Sequence, residues 1–162
     1  SVSVEPPMFV DVVNVTSAAD MADVVKSKAA EQDIIIMTAA VADFCPSHPA
    51  DEKIKKNDSS YESVIELERT EDILSYLGAH KAKGQLICGF SMETQNMLEN
   101  SKAKLAKKNA DMIVANNLKV AGAGFGTDTN VVTLITADDC TELEIMDKSC
   151  VAAKIMDRLL QM

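Results

Sequence analysis

Tryptophan is absent from this chain, and aromatic residues make up only 4% of its 162 positions. The core must therefore be filled by Ile, Leu, Val, Ala and the nine Met, and no base-stacking platform for single-stranded nucleic acid is on offer. Positive charge is the minority sign, with 16 Lys and Arg against 25 Asp and Glu for a formal net charge of −9. Such a surface repels a phosphate-rich polymer, so nucleic acid is not an expected partner, although a few clustered cations can still hold one small anionic ligand. Histidine is limited to His48 and His80, and the four cysteines, Cys45, Cys88, Cys140 and Cys150, include no C-x-x-C pair. That spacing argues against a structural zinc site. Cys45 follows Asp43 in a loop but lacks a His with an orienting partner, so it is not read as a nucleophile. Unpaired cysteines indicate a reducing compartment. No apolar stretch reaches the roughly 18 residues needed to cross a bilayer, and the first residues lack a signal-peptide pattern, so the expected location is cytoplasmic with no membrane partner.

Two nucleotide-binding motifs are also missing. No G-x-x-x-x-G-K-[S/T] phosphate loop occurs. Gly122-Ala-Gly124-Phe125-Gly126 has G-x-G-x-G spacing and is followed by the strand-like Thr127 to Ile135, whereas a dinucleotide fingerprint must open a helix. A glycine-rich turn is the better reading, and a nicotinamide-dependent oxidoreductase is set aside.

The length suits one domain. Phe9 to Val15 reads as a short strand, and Ser17-Ala-Ala-Asp20 as the start signal of a helix running to about Glu31. Asp33 to Asp43 is almost continuously apolar, which marks a strand covered on both faces and hence a parallel sheet. Glu62 to Glu68 alternates as a half-exposed strand does. Thr70 is expected to cap a helix carrying Ile73, Leu74 and Leu77, followed by a buried strand at Gln85 to Phe90 and a helix from Glu93 to Asn109. A third buried strand at Asp111 to Asn116, strands near Asn130 to Thr136 and Glu142 to Met146, and a helix from about Ser149 to Leu160 complete the chain. Alternating strands and helices define a doubly wound, Rossmann-like α/β fold of three layers, α/β/α, with a mainly parallel sheet.

Within that frame Asp43 and Lys53 stand out. Asp43 closes the Asp33 strand, and Lys53 opens the cluster Lys53-Ile54-Lys55-Lys56. A carboxylate at the carboxyl end of a parallel strand, beside a mobile cationic loop, is the minimum needed to hold a metal-bound nucleoside triphosphate. The lysines also fit an edge strand guarded by charge, but their position beside Asp43 favours function. Ala39, Ala40 and Asp43, then Phe90 and Glu93, then Asn116 and Asn117 end successive buried strands and are expected to meet around one crevice, although polar residues also simply end strands. Lys104 and Lys108 share a helix face; read alone, they describe a solvated helix end whose basic charge matches its dipole.

These residues also carry a resemblance. Ala39-Ala-Val-Ala-Asp43, Glu52-Lys-Ile-Lys-Lys56, Thr70-Glu-Asp-Ile-Leu74, Gly89-Phe90 followed by Glu93, Asp111-Met-Ile-Val-Ala-Asn116, and Gly124-Phe125 through Asp128 and Asn130 occur in the order and spacing of bacterial phosphopantothenate–cysteine ligase, or phosphopantothenoylcysteine synthetase. The resemblance runs from about Phe9 to the C-terminus. It implies CTP- and magnesium-dependent ligation of 4′-phosphopantothenate to L-cysteine through an acyl-cytidylate, in coenzyme A biosynthesis. It further implies that Met37, Thr38 and Ala39 line base and ribose and that Asp43 serves the nucleotide and its Mg2+. Lys53 would neutralise the phosphate under attack. Glu71, Asp72, Ile73, Leu74, Phe90, Lys104 and Lys108 would complete the CTP pocket, which reverses the bland reading of the two helix lysines. Asn116 would orient the acyl phosphate. A homodimer is implied too, with Glu62 to Glu68 as a pairing strand. The family opens with a strand and a turn containing Asn-x-Ser-Ser-Gly, and nothing like it precedes Phe9. The expectation is a single nucleotide-binding ligase domain over 1–162, N-terminally incomplete and weak or inactive alone, the alternative being a non-catalytic nucleotide-binding module of the same fold.

Overall fold

The computed structural model describes residues 5–50, 52–53, 64–93, 96–117, 124 and 126–162. In chain order the elements are α1 (Ala18–Ala29), β1 (Ile34–Met37), β2 (Phe44–Pro46), β3 (Leu67–Arg69), α2 (Ile73–Ala79), β4 (Leu86–Glu93), α3 (Met97–Lys108), β5 (Met112–Asn117), β6 (Thr129–Asn130), β7 (Val132–Ile135), β8 (Cys140–Glu142), β9 (Met146–Asp147) and α4 (Lys148–Leu159). They fall into two compact units, one of residues 1–25 and 41–71, the other of residues 26–40 and 72–162. No helix among the described residues is long and apolar enough to cross a membrane.

In the larger unit a five-stranded sheet has the order β1-β4-β5-β7-β8. β1, β4 and β5 run parallel, and β7 and β8 continue the sheet antiparallel. The result is a mixed sheet with parallel central strands flanked by helices, a Rossmann-like α/β arrangement. Both faces of β5 are covered, so Met112 to Ala115 are all buried. Met112 and Val114 join Cys88, Val132 and Leu134 beneath α4, whose Val151, Ile155 and Leu159 repeat every fourth residue and so form one stripe. The opposite face packs against α2 and α3, where Gly89 lets Leu74 and Ile113 close over the strand. α2 and α3 approach backbone to backbone: a methyl group added at Gly78 would lie 1.8 Å from the Lys108 carbonyl oxygen. Asn109, in the left-handed conformation that ends α3, donates from Nδ2 to the Gly78 carbonyl at 2.7 Å. Asp111 ties the sheet together by accepting from the Ile87 N–H at 2.7 Å and from Lys81 Nζ at 2.8 Å.

The smaller unit holds the antiparallel ribbon β2–β3, with Phe44 opposite Arg69. α1 begins as Ser17 and Asp20 predict: the Asp20 N–H donates to Ser17 Oγ, and Asp20 Oδ2 accepts from the Ser17 N–H. This is a reciprocal capping box.

Several expected elements differ. Phe9 to Val15 forms no strand and is largely exposed, because no strand among the described residues pairs with it and an unpaired strand leaves its backbone groups unsatisfied. The Asp33 to Asp43 run supplies only the four-residue β1. Asp43 therefore does not close a parallel strand; it immediately precedes β2, in the smaller unit. Thr70 does not cap α2. Its N–H donates to the Asp43 carbonyl and its hydroxyl to that of Ala42, and Asp72 caps instead, accepting from the Ser75 N–H at 3.0 Å. The ladder begins only at Leu67, and Glu62 and Ser63 lie outside the described residues. The stretch expected as one strand from Glu142 to Met146 is split between β8 and β9, which belong to different sheets.

Candidate functional site

The carboxyl ends of β1, β4 and β5 lie side by side, since Met37 registers with Gly89 and Glu93 with Asn117. This edge of the larger unit is where an open α/β sheet binds ligands. Met37 ends β1 half-buried, and Thr38 and Ala39 follow exposed. Phe90 packs its ring against the core beneath α4, so its carbonyl, and not its ring, is the group turned to a polar partner. That partner is Lys104, whose Nζ donates to the Phe90 carbonyl at 2.8 Å.

Lys108 leaves the same helix face one turn later but serves a different end of the unit. Its ammonium pairs with the Asp72 carboxylate and donates to Ser75 Oγ at 3.0 Å, so it braces the start of α2. Partial burial pushes the Asp72 carboxyl upward, but the Lys108 ammonium and the Ser75 N–H outweigh it and hold the pKa below its ordinary value. Ile73 is buried and Leu74 packs on Gly89, which leaves backbone N–H groups as what these two can present. Both helix lysines thus have internal partners that a phosphate group would have to replace.

Asn116 sits at the end of β5, half-buried. Its Oδ1 accepts from Asn130 Nδ2 at 2.8 Å, and Asn130 Oδ1 accepts from the Val131 N–H at 2.9 Å. The turn before Asn130 is the expected glycine turn: Gly124 and Gly126 adopt φ of 104° and 72°, a region that favours glycine. Phe125 and residues 118–123 lie outside the described residues.

The smaller unit contains Asp43, Lys53 and Glu71. Asp43 is exposed, with its backbone pinned by Thr70. Lys53 is exposed, and Ile54, Lys55 and Lys56 lie outside the described residues. No group of three or more His, Cys, Asp or Glu among the described residues could hold a metal ion. Asp43 offers one exposed carboxylate, and a magnesium ion that keeps several waters needs only one or two carboxylates from a protein. Cys88 is fully buried, and burial, with the nearby Asp111 charge, pushes its thiol up to about 12, so it is an inert core residue.

The structure thus brings together Met37, Thr38, Ala39, Phe90, Lys104 and Asn116 around one sheet edge, and places Asp72 and Lys108 in one ion pair. Asn130 and Ser75 carry hydrogen bonds that no sequence pattern assigned to them. The only available signal was the place of Asn130 at the end of the Gly124 motif.

The family model described as DNA/pantothenate metabolism flavoprotein C-terminal domain matches residues 1–162. Among curated relatives, the coenzyme A biosynthesis bifunctional protein CoaBC of Bacillus subtilis is 46% identical over 156 residues, covering 96% of this chain and 38% of its own length. A cysteine/cysteine sulfinic acid decarboxylase from an unknown prokaryotic organism is 45% identical, covering 93% of this chain and 42% of its own. A crystal structure of the C-terminal domain of a coenzyme A biosynthesis bifunctional protein CoaBC is 40% identical, with a TM-score of 0.79 over 99% of this chain and 72% of that one. The chain spans about two fifths of the length of these curated relatives. With a family model matched from end to end and close similarity to a solved domain, the chain belongs to the DNA/pantothenate metabolism flavoprotein C-terminal domain family.

Proposed function

We propose that this domain carries the phosphopantothenate–cysteine ligase activity of a larger protein of coenzyme A biosynthesis. The observation that carries the reading is the 46% identity to the Bacillus subtilis CoaBC protein across 96% of this chain. In this reading the carboxylate of 4′-phosphopantothenate attacks the α-phosphorus of CTP and pyrophosphate departs with the bonding electrons. The cysteine amine then attacks the acyl carbon, loses a proton and expels CMP, leaving the amide.

Each residue has a part in these steps. Lys53 neutralises charge that develops on the phosphate, an interaction stronger in the transition state than in the ground state. Asp43 would be the protein carboxylate for magnesium bound to the triphosphate, an ion that would offset the phosphate charge. Thr38, Ala39 and the Phe90 carbonyl face the base and ribose, beside Met37. Lys104 and Lys108 exchange their internal partners for phosphate oxygens, while Asp72, Ile73 and Leu74 shape that part of the larger unit; Glu71, next in sequence, is assigned to the nucleotide as well. Asn116 orients the acyl phosphate.

The same reading makes the protein a cytoplasmic homodimer. Phe44, Ile65 and Leu67 of the smaller unit are 50%, 72% and 58% exposed, and the β2–β3 ribbon has free edges among the described strands, which favours pairing with a second copy. The test supplies CTP, 4′-phosphopantothenate, cysteine and magnesium to the complete protein. Stoichiometric pyrophosphate, CMP and amide are expected; binding of CTP without any product would replace the ligase reading by that of a nucleotide-binding module.

A further inference from the structure

Asn130 is a polar side chain to which the reaction above gives no part. It begins the β6–β7 corner, where Asn116 registers with Val132 and the Asn117 N–H donates to the Val131 carbonyl at 3.0 Å. Its two hydrogen bonds have a direction that does not depend on how an amide is drawn. The Val131 backbone N–H is an unambiguous donor, so the Asn130 group that meets it at 2.9 Å must be Oδ1. The other end of the Asn130 amide is then Nδ2, a donor, and it meets Asn116 at 2.8 Å. Asn116 must answer with Oδ1. One backbone N–H thereby sets the orientation of two side-chain amides in series, which removes the usual two-fold ambiguity of an asparagine.

We propose that Asn130 is a positioning residue: it commits the Asn116 oxygen inward, so that Asn116 presents its Nδ2–H pair, a donor, to an anionic oxygen at the carboxyl end of β5. The inference rests on the ligase reading for the identity of that oxygen, a phosphoryl oxygen of the acyl nucleotide. The orientation itself does not. A donor already turned to the developing charge needs no reorganisation when the reaction occurs. An asparagine free to rotate would present its carbonyl oxygen part of the time and repel the same ligand.

The discriminating variant is Asn130→Asp in the complete protein. It keeps the size and the acceptor for Val131, but an ionised carboxylate has no proton to give Asn116. The Asn116 amide then turns its Nδ2–H pair inward and its oxygen outward. The expected kcat is about 100-fold lower near neutral pH, the scale of losing one preorganised donor, with KM for CTP within about threefold. A protonated carboxyl can donate again, and its fraction grows about tenfold for each pH unit lowered. An ordinary aspartate value of about 3.9 leaves roughly 0.1% of the carboxyl protonated at about pH 7 and roughly 7% at about pH 5. Above the residual activity of about 1%, the variant-to-wild-type ratio of kcat should therefore rise about eightfold over that range. Asp128 precedes β6, Asp147 pairs with Thr129, Lys148 follows β9, and Glu93 registers with Asn117; these groups are common to both proteins, so their effects cancel in the ratio. Asn130→Ala should lose activity without that recovery. Turnover of Asn130→Asp within threefold of wild type, or a loss that follows the wild-type pH profile, overturns the proposal. Side-chain amide NMR separates this from failure of the ligase reading. Even with no turnover at all, a hydrogen-bond coupling from Asn130 Nδ2 to the Asn116 side-chain carbonyl is expected, and its absence sinks the orientation whatever the protein catalyses.

Discussion

Gly78→Ala tests whether the close approach of α2 and α3 is what holds the start of α2 against Lys108. The added methyl would sit 1.8 Å from the Lys108 carbonyl oxygen, 2.9 Å from its carbonyl carbon and 3.2 Å from the Asn109 Cβ, where ordinary contact begins at 3.4 Å. Relief requires roughly 1.6 Å of backbone displacement, because the offended atoms belong to main chain and not to a flexible side-chain tip. Overpacking of this kind costs about 3 kcal/mol at the upper end of its usual range, and the strained Asn109 to Gly78 hydrogen bond adds about 1 kcal/mol. The better helix propensity of alanine returns about 1 kcal/mol. A net loss near 3 kcal/mol lowers the urea midpoint by about 1.5 M for a slope of about 2 kcal/mol/M. Gly84→Ala is the control, since Gly84 has φ of +85° but open space around its Cβ position, and should lose only about 1 kcal/mol to the left-handed conformation. Urea unfolding followed by circular dichroism reads both. A Gly78→Ala midpoint equal to or above wild type would refute the packing argument.

Other perturbations bear on the site and its surroundings. Lys53→Gln should lower kcat by about 100-fold or more with little change in CTP affinity, as expected for charge met mainly in the transition state; unchanged turnover in a coupled pyrophosphate assay removes Lys53 from the mechanism. Cys140 and Cys150 are exposed and Cys88 is buried, with the Cys88 thiol pushed up to about 12, so a thiol-reactive dye at about pH 8 should modify the exposed pair rapidly and Cys88 only on unfolding. Rapid labelling of Cys88 in the native protein, located by peptide mass, would contradict the packed core under α4. The depressed Asp72 pKa stabilises the fold above the ordinary carboxylate value of 3.8 and is lost as pH falls through the folded value. Asp72→Asn should therefore flatten acid unfolding below about pH 4 by under about 1 kcal/mol, because the carboxylate is half exposed and screened. An unaltered acid limb in a pH-dependent melt would count against the Lys108 pair.

Legibility in the sequence followed the number of faces a segment buries. β4 and β5 announced themselves because both faces are covered, which writes an unbroken apolar run around Cys88 and Val114. α4 was equally plain, since Val151, Ile155 and Leu159 repeat at helical spacing. The Asp33 to Asp43 run misled for the same reason: apolar continuity persists past Met37 although hydrogen bonding to β4 stops there, and composition cannot show where a ladder ends. Thr70 and Asp72 both satisfy the preference for a capping residue, and only the β2–β3 ribbon, which claims Thr70 for Ala42 and Asp43, decides between them. The place of Ala39, Phe90 and Asn116 along one sheet edge was legible because each stands at or just after the end of a buried strand. The Asn116 and Asn130 pair was not, because a hydrogen bond between residues 14 apart leaves no periodic trace.

The most direct measurement is the fate of the nucleotide when the complete protein turns over 4′-phosphopantothenate and cysteine with α-labelled CTP. The ligase account predicts label transferred first to an acyl-cytidylate trapped when cysteine is withheld, then released as CMP with one pyrophosphate per amide formed. Cleavage of CTP to CDP and phosphate, or amide formation with the nucleotide untouched, would contradict it.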